Sequence, residues 1–149
     1  EAAGIRYQDK EGTQQYCHTT SWGVSTRLIG GVIMTHGDDD GLRCPPQVAP
    51  QQVVIIPIAD RHLEAAETGA AILRRAGIRV SIDDSSNRMQ NKIRLAQEQK
   101  VPLMLVLGDK EIEAGGAAPR WRDGTQEPAT SWEALAATLA AKAASRSAS

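Results

Sequence analysis

The chain has 149 residues, of which 41% are hydrophobic and 23% are charged, and its formal net charge is −1. This composition is ordinary for a soluble globular protein, and the length allows one domain with an appendage. Apolar runs stay well below the length of a membrane-spanning helix and no signal-peptide pattern opens the chain, so membrane and secreted proteins are both disfavoured. We interpret the start at Glu1 as a cut through a larger protein.

The two cysteines and the distribution of charge narrow the class further. Cys17 and Cys44 belong to no Cys/His cluster, so we expect free thiols in a reducing, cytoplasmic compartment and no metal site. Residues 61–100 carry 8 basic against 5 acidic side chains, whereas residues 1–60 carry 4 against 7. The cationic surplus is thus confined to one segment, as a local RNA-binding patch requires, although solvated helices often carry a similar excess.

Residues 1–36 predict two strands followed by a helix. The turn between the strands falls at Lys10-Glu11-Gly12, and the second strand-like run covers residues 16–20. A Trp-Gly break follows, and an amphipathic helix then begins at Ser25-Thr26-Arg27. Its predicted buried face consists of apolar and aromatic residues at helical spacing: Leu28, Ile29, Val32, Ile33 and His36. A piece of this size cannot build a core alone, so we expect this face to need the body of a missing domain.

Residues 37–50 predict a linker, because they contain three aspartates and three prolines. The aspartates at 38–40 could also suggest a metal site. Three consecutive carboxylates do not easily face one ion without a loop built for it, so the linker is favoured.

From residue 52 the pattern alternates between strands and helices. The β-branched run 53–58 predicts a central strand buried on both faces. Asp60 is expected to cap a helix that Gly77 ends. A strand at 78–82 precedes a helix that is capped by Ser85 or Ser86 and runs to about residue 100. A third strand is predicted at 102–107.

The remaining residues predict a hairpin and a closing helix. Strands at 117–122 and 125–127 flank Asp123-Gly124, and Pro119 should place its strand at an edge or a bulge. Ser131 caps the last helix, and a frayed tail covers 145–149. Right-handed crossovers between the three earlier strands give a parallel sheet, to which the hairpin adds antiparallel strands. The predicted fold class is α/β, with a five-stranded mixed sheet.

Two stretches resemble known families. The sequence TTSWGVSTRLIGG, residues 19–31, resembles motif 3 of class II aminoacyl-tRNA synthetases in the prolyl-tRNA synthetase form, and the match continues through IMTHGDDDGLRCPPQVAPQQVVIIPI. Residues 48–143 resemble the anticodon-binding domain shared by the histidyl, glycyl, threonyl and prolyl enzymes. The resemblance implies a catalytic-domain fragment and linker in residues 1–46. It implies a three-layer anticodon-binding domain, with helices flanking the sheet, in residues 47–149.

The second half of that domain resembles a different member of the group. The run DDSSNRMQNKIRLAQEQKVPLMLVLGDKEIEAGG is closer to the threonyl-tRNA synthetase type. The front half favours proline as the amino acid, and a threonyl-type enzyme is the alternative that the back half supports.

The motif 3 resemblance implies roles for four residues. Arg27 would be catalytic, lying against ATP, because a guanidinium is always charged and offers paired donors to phosphate oxygens. Ser25 would also contact the nucleotide, and Trp22 and Gly23 would form the floor of the amino-acid pocket. Plain core packing is the alternative for Trp22. Motifs 1 and 2 would precede Glu1, so the chain alone is predicted to be inactive. The parent would be a homodimer that uses proline and ATP with Mg²⁺.

For the anticodon-binding domain, the resemblance and the topology together imply a set of residues that contact tRNA. They are Ser86, Asn87, Arg88, Lys92, Arg94, Glu111 and Arg120. Except for Glu111 and Arg120, they are expected where the second helix begins, just beyond the carboxyl end of a strand. Glu111 and Arg120 would converge on one guanine, since a carboxylate accepts from its N1–H and N2–H₂ and an arginine donates to O6 and N7. The alternative is a solvated ion pair of Glu111 with Arg120 or Lys110.

Two classes of function compete at this point. The leading hypothesis is the C-terminal part of a prolyl-tRNA synthetase, a proline–tRNA ligase. The other is a non-catalytic module that uses the same fold to bind RNA or a protein partner. The presence of Arg27 argues against the second, because such a module does not need an arginine that binds ATP.

Overall fold

The computed structural model describes residues 3–144, so the predicted tail at 145–149 lies outside the described residues. The chain divides into two compact units, with the boundary between Gly30 and Gly31.

The first unit contains a short antiparallel hairpin. Strand β1 (Arg6–Gln8) pairs with β2 (Gln14–Tyr16). The Asp9 carboxylate organises the turn, since it accepts from the backbone N–H of Glu11 at 3.1 Å and of Thr13 at 2.7 Å. The predicted order of strand, turn and strand is therefore confirmed.

The strand predicted at 16–20 is wrong, because β2 ends at Tyr16 and residues 17–25 have no regular secondary structure. The last backbone bond of the hairpin runs from the Cys17 N–H to the Ile5 carbonyl. Beyond it, no described residue supplies a partner strand.

Helix α1 (Arg27–His36) begins where the sequence predicts, and it crosses the boundary between the units. None of its residues is buried. The predicted inward face is instead exposed, with exposed fractions of 57% for Leu28, 63% for Ile29 and 47% for Ile33. An apolar face of this kind marks an interaction surface, and its burial against a missing domain stays a prediction.

The predicted linker contains a small hairpin in the second unit, formed by β3 (Gly37–Asp38) and β4 (Gly41–Leu42). Arg122 donates to both Asp38 carboxylate oxygens, at 2.7 and 2.8 Å. The Lys100 ammonium donates to the Asp40 carbonyl at 2.6 Å. The acidic run is thus held by cations of the same unit.

The Asp38–Arg122 pair predicts a pH dependence. The hydrogen bonds from Arg122 lower the pKa of Asp38 from 3.8 to about 2. A lowered pKa means that the pair stabilises the fold above about pH 4, and that this contribution is lost as the pH falls through about 2. We expect the Asp38 carboxyl carbon to titrate at about 2 by NMR. Arg122→Gln should raise that pKa towards 3.8 and Arg43→Gln should raise it less, whereas an ordinary pKa in the unsubstituted chain would contradict the pair.

The second unit is built on a five-stranded mixed sheet, as predicted. Its strands are β5 (Val53–Pro57), β6 (Val80–Ile82), β7 (Leu103–Leu107), β8 (Gly116–Trp121) and β9 (Thr130–Ser131). Their order in the sheet is β6-β5-β7-β8-β9. Strands β6, β5 and β7 are parallel, whereas β8 and β9 add antiparallel pairs. Every residue of β5 is buried, in agreement with a central strand covered on both faces.

Helices cover both faces of the sheet and give the three predicted layers. Helices α2 (Leu63–Arg75) and α5 (Trp132–Ala144) pack on one face, in a core that includes Ile55, Leu73 and Leu105. Helix α3 (Met89–Glu98) packs on the other face, over Val54, Ile56 and Met104. A short helix, α4 (Asp109–Glu113), follows β7.

Some of the predicted helix ends match the structure and others do not. Gly77 ends α2 with a φ of +80°, and the Ser131 hydroxyl accepts from the Ala134 N–H at 3.4 Å, so both predictions are confirmed. Asp60 is not a cap, because a 3₁₀ turn (Asp60–His62) precedes α2. Ser85 and Ser86 are not caps either, since α3 begins at Met89 and the Ser85 hydroxyl bonds to Asp83.

The last hairpin differs from the prediction in its second strand. Residues 125–127 form only a single bridge, Arg120↔Gln126, and the fifth strand is Thr130–Ser131. Strand β8 is therefore paired on both sides, and the edge predicted from Pro119 is wrong. The Pro119 carbonyl accepts from the Glu127 N–H, so its nitrogen, which cannot donate, faces the irregular 125–127 segment rather than β7.

Candidate functional site

The carboxyl ends of β5 and β7 lie side by side, because these parallel strands are neighbours in the sheet. The Ile58 N–H donates to the Leu107 carbonyl at 2.9 Å, so the two strands stay together to their last residues. Two loops leave the sheet at this edge: residues 58–62, which include the 3₁₀ turn, and Gly108, which leads directly into α4. Open α/β sheets bind ligands outside the carboxyl ends of their strands.

The Glu111 side chain is held beside this edge by a backbone N–H group three residues earlier in the chain. Its Oε2 accepts from the Gly108 N–H at 3.0 Å, at the start of α4. Space here is tight, since a Cβ on Gly108 would lie 2.7 Å from Ile58 Cδ1 and 3.0 Å from Glu111 Oε2. No ion pair joins Glu111 to Arg120 or Lys110 within residues 3–144, so the predicted alternative of a surface ion pair is not formed. One carboxylate oxygen is fixed, and the other makes no hydrogen bond in this part of the chain.

A polar group that the sequence analysis missed joins the two loops. Arg61 donates to Asp109 through Nε at 3.1 Å and Nη2 at 2.6 Å. The His62 Nε2 lies 2.9 Å from Asp109 Oδ1, and its imidazole is 2% exposed. The hydrogen bonds from Arg61, then that of His62, lower the pKa of Asp109 to about 2. Asp109, which lies two residues before Glu111, is thus hydrogen-bonded to the loop that follows β5.

Arg120 lies farther down the sheet than the sequence analysis assumed. It pairs with Met104, three residues before the end of β7, which is roughly 10 Å from that end at the usual rise per residue. Paired side chains share a face, and Met104 packs with α3, so Arg120 is on the α3 face. Its Nε is buried and has no hydrogen-bond partner among residues 3–144. Convergence of Glu111 and Arg120 on one base stays a prediction.

Ser86, Asn87 and Arg88 lie where they were predicted. They follow the carboxyl end of β6 in the loop before α3, and all three are exposed. Arg88 is the residue directly before α3, and its side chain makes no capping hydrogen bond to the helix. These side chains are available to a phosphate or a base.

Lys92 is not the exposed phosphate ligand that the sequence analysis assumed. The residue is 5% exposed, and its ammonium donates to the Asp83 carbonyl at 2.8 Å and the Pro57 carbonyl at 3.3 Å. It points inward because its position on α3 faces the ends of β5 and β6. Its ammonium group therefore links the carboxyl ends of β5 and β6.

Arg94 also differs from the expectation, because it does not lie at the carboxyl edge. It is five residues into α3, about 7–8 Å along the axis, and α3 runs back towards the amino end of β7. Its guanidinium bonds to Glu98 and Asn91, and it lines a cavity of about 380 Å³ with Asp40 and the 122–124 hairpin tip. A role in RNA contact there would be separate from that of Glu111.

The four residues attributed to motif 3 belong to the first unit. Trp22, Gly23 and Ser25 lie in the irregular segment, and Arg27 is the first residue of α1. All four are exposed, and Trp22 is 90% exposed. Core packing, the alternative for Trp22, is thus absent from the described part of this chain.

The architecture defines a three-layer α/β domain with polar side chains at the carboxyl ends of its parallel strands. A family model described as an anticodon binding domain matches residues 52–142, and the chain belongs to that family.

Relatives extend the similarity to the front of the chain. The chain is 46% identical over 134 residues to a proline–tRNA ligase of Sphingopyxis alaskensis, which is 83% of this chain and 25% of that protein. It is 49% identical over 133 residues to that of Novosphingobium aromaticivorans, covering 82% and 26%. It is 39% identical over 129 residues to the chloroplastic/mitochondrial proline–tRNA ligase of Arabidopsis thaliana, covering 82% and 24%. The resemblance to prolyl-tRNA synthetases is confirmed, and the chain spans about a quarter of the length of these curated relatives.

Among residues 3–144, none of the helices is both long and apolar enough to cross a membrane.

Proposed function

We propose that the chain is part of a proline–tRNA ligase that joins proline to its tRNA with ATP and Mg²⁺. Residues 47–149 would recognise the tRNA anticodon, and residues 1–46 would carry motif 3 and the linker. The family match over residues 52–142 and the proline–tRNA ligase relatives support this assignment. The parent would be a cytoplasmic homodimer, and this piece alone would be inactive.

In this proposal Arg27 and Ser25 contact ATP, with Arg27 as the catalytic arginine, and Trp22 and Gly23 line the proline pocket. Exposure of all four in this chain is compatible with a site that other parts of the parent complete. The exposed face of α1 would pack against the same missing parts.

The anticodon-reading site is proposed at the edge formed by β5 and β7. Glu111 carries it, because one oxygen is fixed by the Gly108 N–H and the other is left to accept from a base. Guanine presents two adjacent donors, N1–H and N2–H₂: the free oxygen accepts from one, and the oxygen bound to Gly108 has a second lone pair for the other. Arg120 would approach from the α3 face, and Ser86, Asn87 and Arg88 would contact the backbone or a neighbouring base. Arg94 would contact RNA beyond this group, and Lys92 would support the site from within.

Two alternatives remain distinct from this assignment. A threonyl-type enzyme rests on the back half of the domain, whereas the relatives described above are proline–tRNA ligases. A non-catalytic module would keep the anticodon-binding fold without a use for Arg27. Exchange of pyrophosphate into ATP by the intact parent distinguishes the three hypotheses. Exchange that depends on proline supports the proline–tRNA ligase, exchange that depends on threonine supports the threonyl-type enzyme, and no exchange supports the non-catalytic module.

The anticodon site predicts a loss of base discrimination in Glu111→Gln. The glutamine oxygen would keep the bond to the Gly108 N–H, so the amide NH₂ would face the guanine donors. We expect a preference for guanine over adenine at the middle anticodon position in the unsubstituted chain, worth roughly 1–3 kcal/mol, and its loss in the variant. Fluorescence anisotropy with anticodon stem-loops at low salt measures it.

Glu113→Gln is the matched control, because it makes the same change on an exposed position of α4. It should leave the preference unchanged. Retention of full guanine preference by Glu111→Gln would show that Glu111 does not read the base.

A further inference from the structure

Helix α4 has little packing of its own. It has five residues, none of them buried, and isolated helices of this length are unstable. Apart from its short connections to β7 and β8, its position therefore depends on the bonds at its first turn. Those bonds are the Gly108–Glu111 bond described above and the bonds to Asp109, the first helical residue.

Of the two groups that hold Asp109, His62 is the better anchored. The Arg61 and Asp109 side chains are 67% and 62% exposed, and an exposed ion pair of this kind contributes little to stability. The His62 ring is 2% exposed and is held from its other side, since the Ala59 N–H donates to Nδ1 at 3.3 Å. His62 is thus a fixed point between the loop of β5 and the start of α4.

The bond to Ala59 also sets the direction of the bond to Asp109. A backbone N–H can only donate, so Nδ1 is the acceptor and the ring proton lies on Nε2. Nε2–H then donates to Asp109 Oδ1. The chain of bonds runs from Ala59 through the imidazole to Asp109, and Glu111 follows two residues later.

We propose that His62 is a positioning residue for base recognition: by fixing Asp109 it sets the place where the second oxygen of Glu111 meets the anticodon base. This inference rests on the proposed function, because it concerns the same site. Without the ring, Asp109 keeps only its exposed partner, and α4 can shift. A paired contact to a base tolerates little displacement, so discrimination is lost before binding is.

The test compares two substitutions of His62 in the 149-residue chain. His62→Gln can still accept from the Ala59 N–H and donate to Asp109, whereas His62→Leu remains apolar and makes neither bond. The readout is the ratio of dissociation constants for anticodon stem-loops with guanine and with adenine at the middle position. We expect His62→Leu to reduce the guanine preference about fivefold or more, and His62→Gln to keep most of it.

A ratio separates positioning from a merely structural role. Partial unfolding weakens binding of both RNAs by the same factor and leaves the ratio unchanged. Asp109→Ala removes the same bond at an exposed side chain, so it keeps the test decisive if His62→Leu does not fold. It should lose the preference as His62→Leu does, and the double variant should lose no more than either.

The outcomes distinguish this inference from the proposed function. If the unsubstituted chain has no guanine preference, or if Glu111→Gln keeps it, the proposed anticodon site is wrong, and the positioning role falls with it. If Glu111→Gln loses the preference while His62→Leu or Asp109→Ala keeps it, the positioning role alone is overturned.

Discussion

Ile55→Ala is expected to lower the free energy of unfolding of the second unit by about 2–5 kcal/mol. Ile55 is the middle residue of β5, is fully buried, and packs in the core beneath α2 and α5. Truncation removes three carbons and leaves a cavity that the surrounding strands cannot close, because β5 is paired on both sides. Urea denaturation followed by circular dichroism measures the change.

Ile29→Ala is the matched control, because it makes the same change at a residue of α1 that is 63% exposed. Its effect should be within about 0.5 kcal/mol, as for ordinary surface substitutions. Equal destabilisation by both variants would mean that Ile29 is buried in solution, for instance between two copies of the chain. A small effect of Ile55→Ala would contradict the central position of β5.

The parts of the fold that sequence reasoning predicted are those with strong local signals. The run VVIIP has no polar residue and is rich in β-branched residues, which favours a buried strand, and β5 has the predicted position to within one residue. Gly77 and Ser131 were identified because a left-handed residue and a hydroxyl cap each act within one turn. The resemblance to a known family then implied the three-layer arrangement of the helices and the sheet.

The failures at the candidate site have a different physical origin, since they depend on residues far apart in sequence. Asp109 and His62 are 47 residues apart, and only the pairing of β5 with β7 brings them together. Nothing in the local sequence distinguishes His62 from a surface residue at the start of a helix. The strand expected at 16–20 is absent because a strand needs a partner, and β1 offers only three residues.

The burial of Lys92 is also difficult to predict from the sequence. A lysine on a polar helix is exposed far more often than buried, so the sequence favoured a phosphate contact. The side chain turns inward because two carbonyl groups lie beneath it, that of Pro57 at the end of β5 and that of Asp83 directly after β6. The cationic surplus of residues 61–100 therefore overstates the charge available to RNA.

Lys92→Ala is accordingly expected to destabilise the second unit by about 2–4 kcal/mol rather than to act on RNA binding alone. Two carbonyl groups lose their charged donor, at about 1–3 kcal/mol for an acceptor left without a partner in a buried position. Loss of the aliphatic stem, packed between α3 and the sheet, adds to this cost. Release of a buried charge offsets part of it.

Lys92→Met separates the two contributions, because it keeps most of the stem and removes only the ammonium. It should cost about 1–2 kcal/mol, because release of the buried charge offsets part of the loss at the two carbonyl groups. The remaining difference from Lys92→Ala reports the packing of the stem. Arg88→Ala is the control for an exposed cation at the start of the same helix, and it should leave stability unchanged while reducing the dependence of RNA binding on salt. If Lys92→Ala instead keeps full stability and reduces the salt dependence as Arg88→Ala does, the ammonium faces the RNA, and the internal bonds to Pro57 and Asp83 do not form in solution.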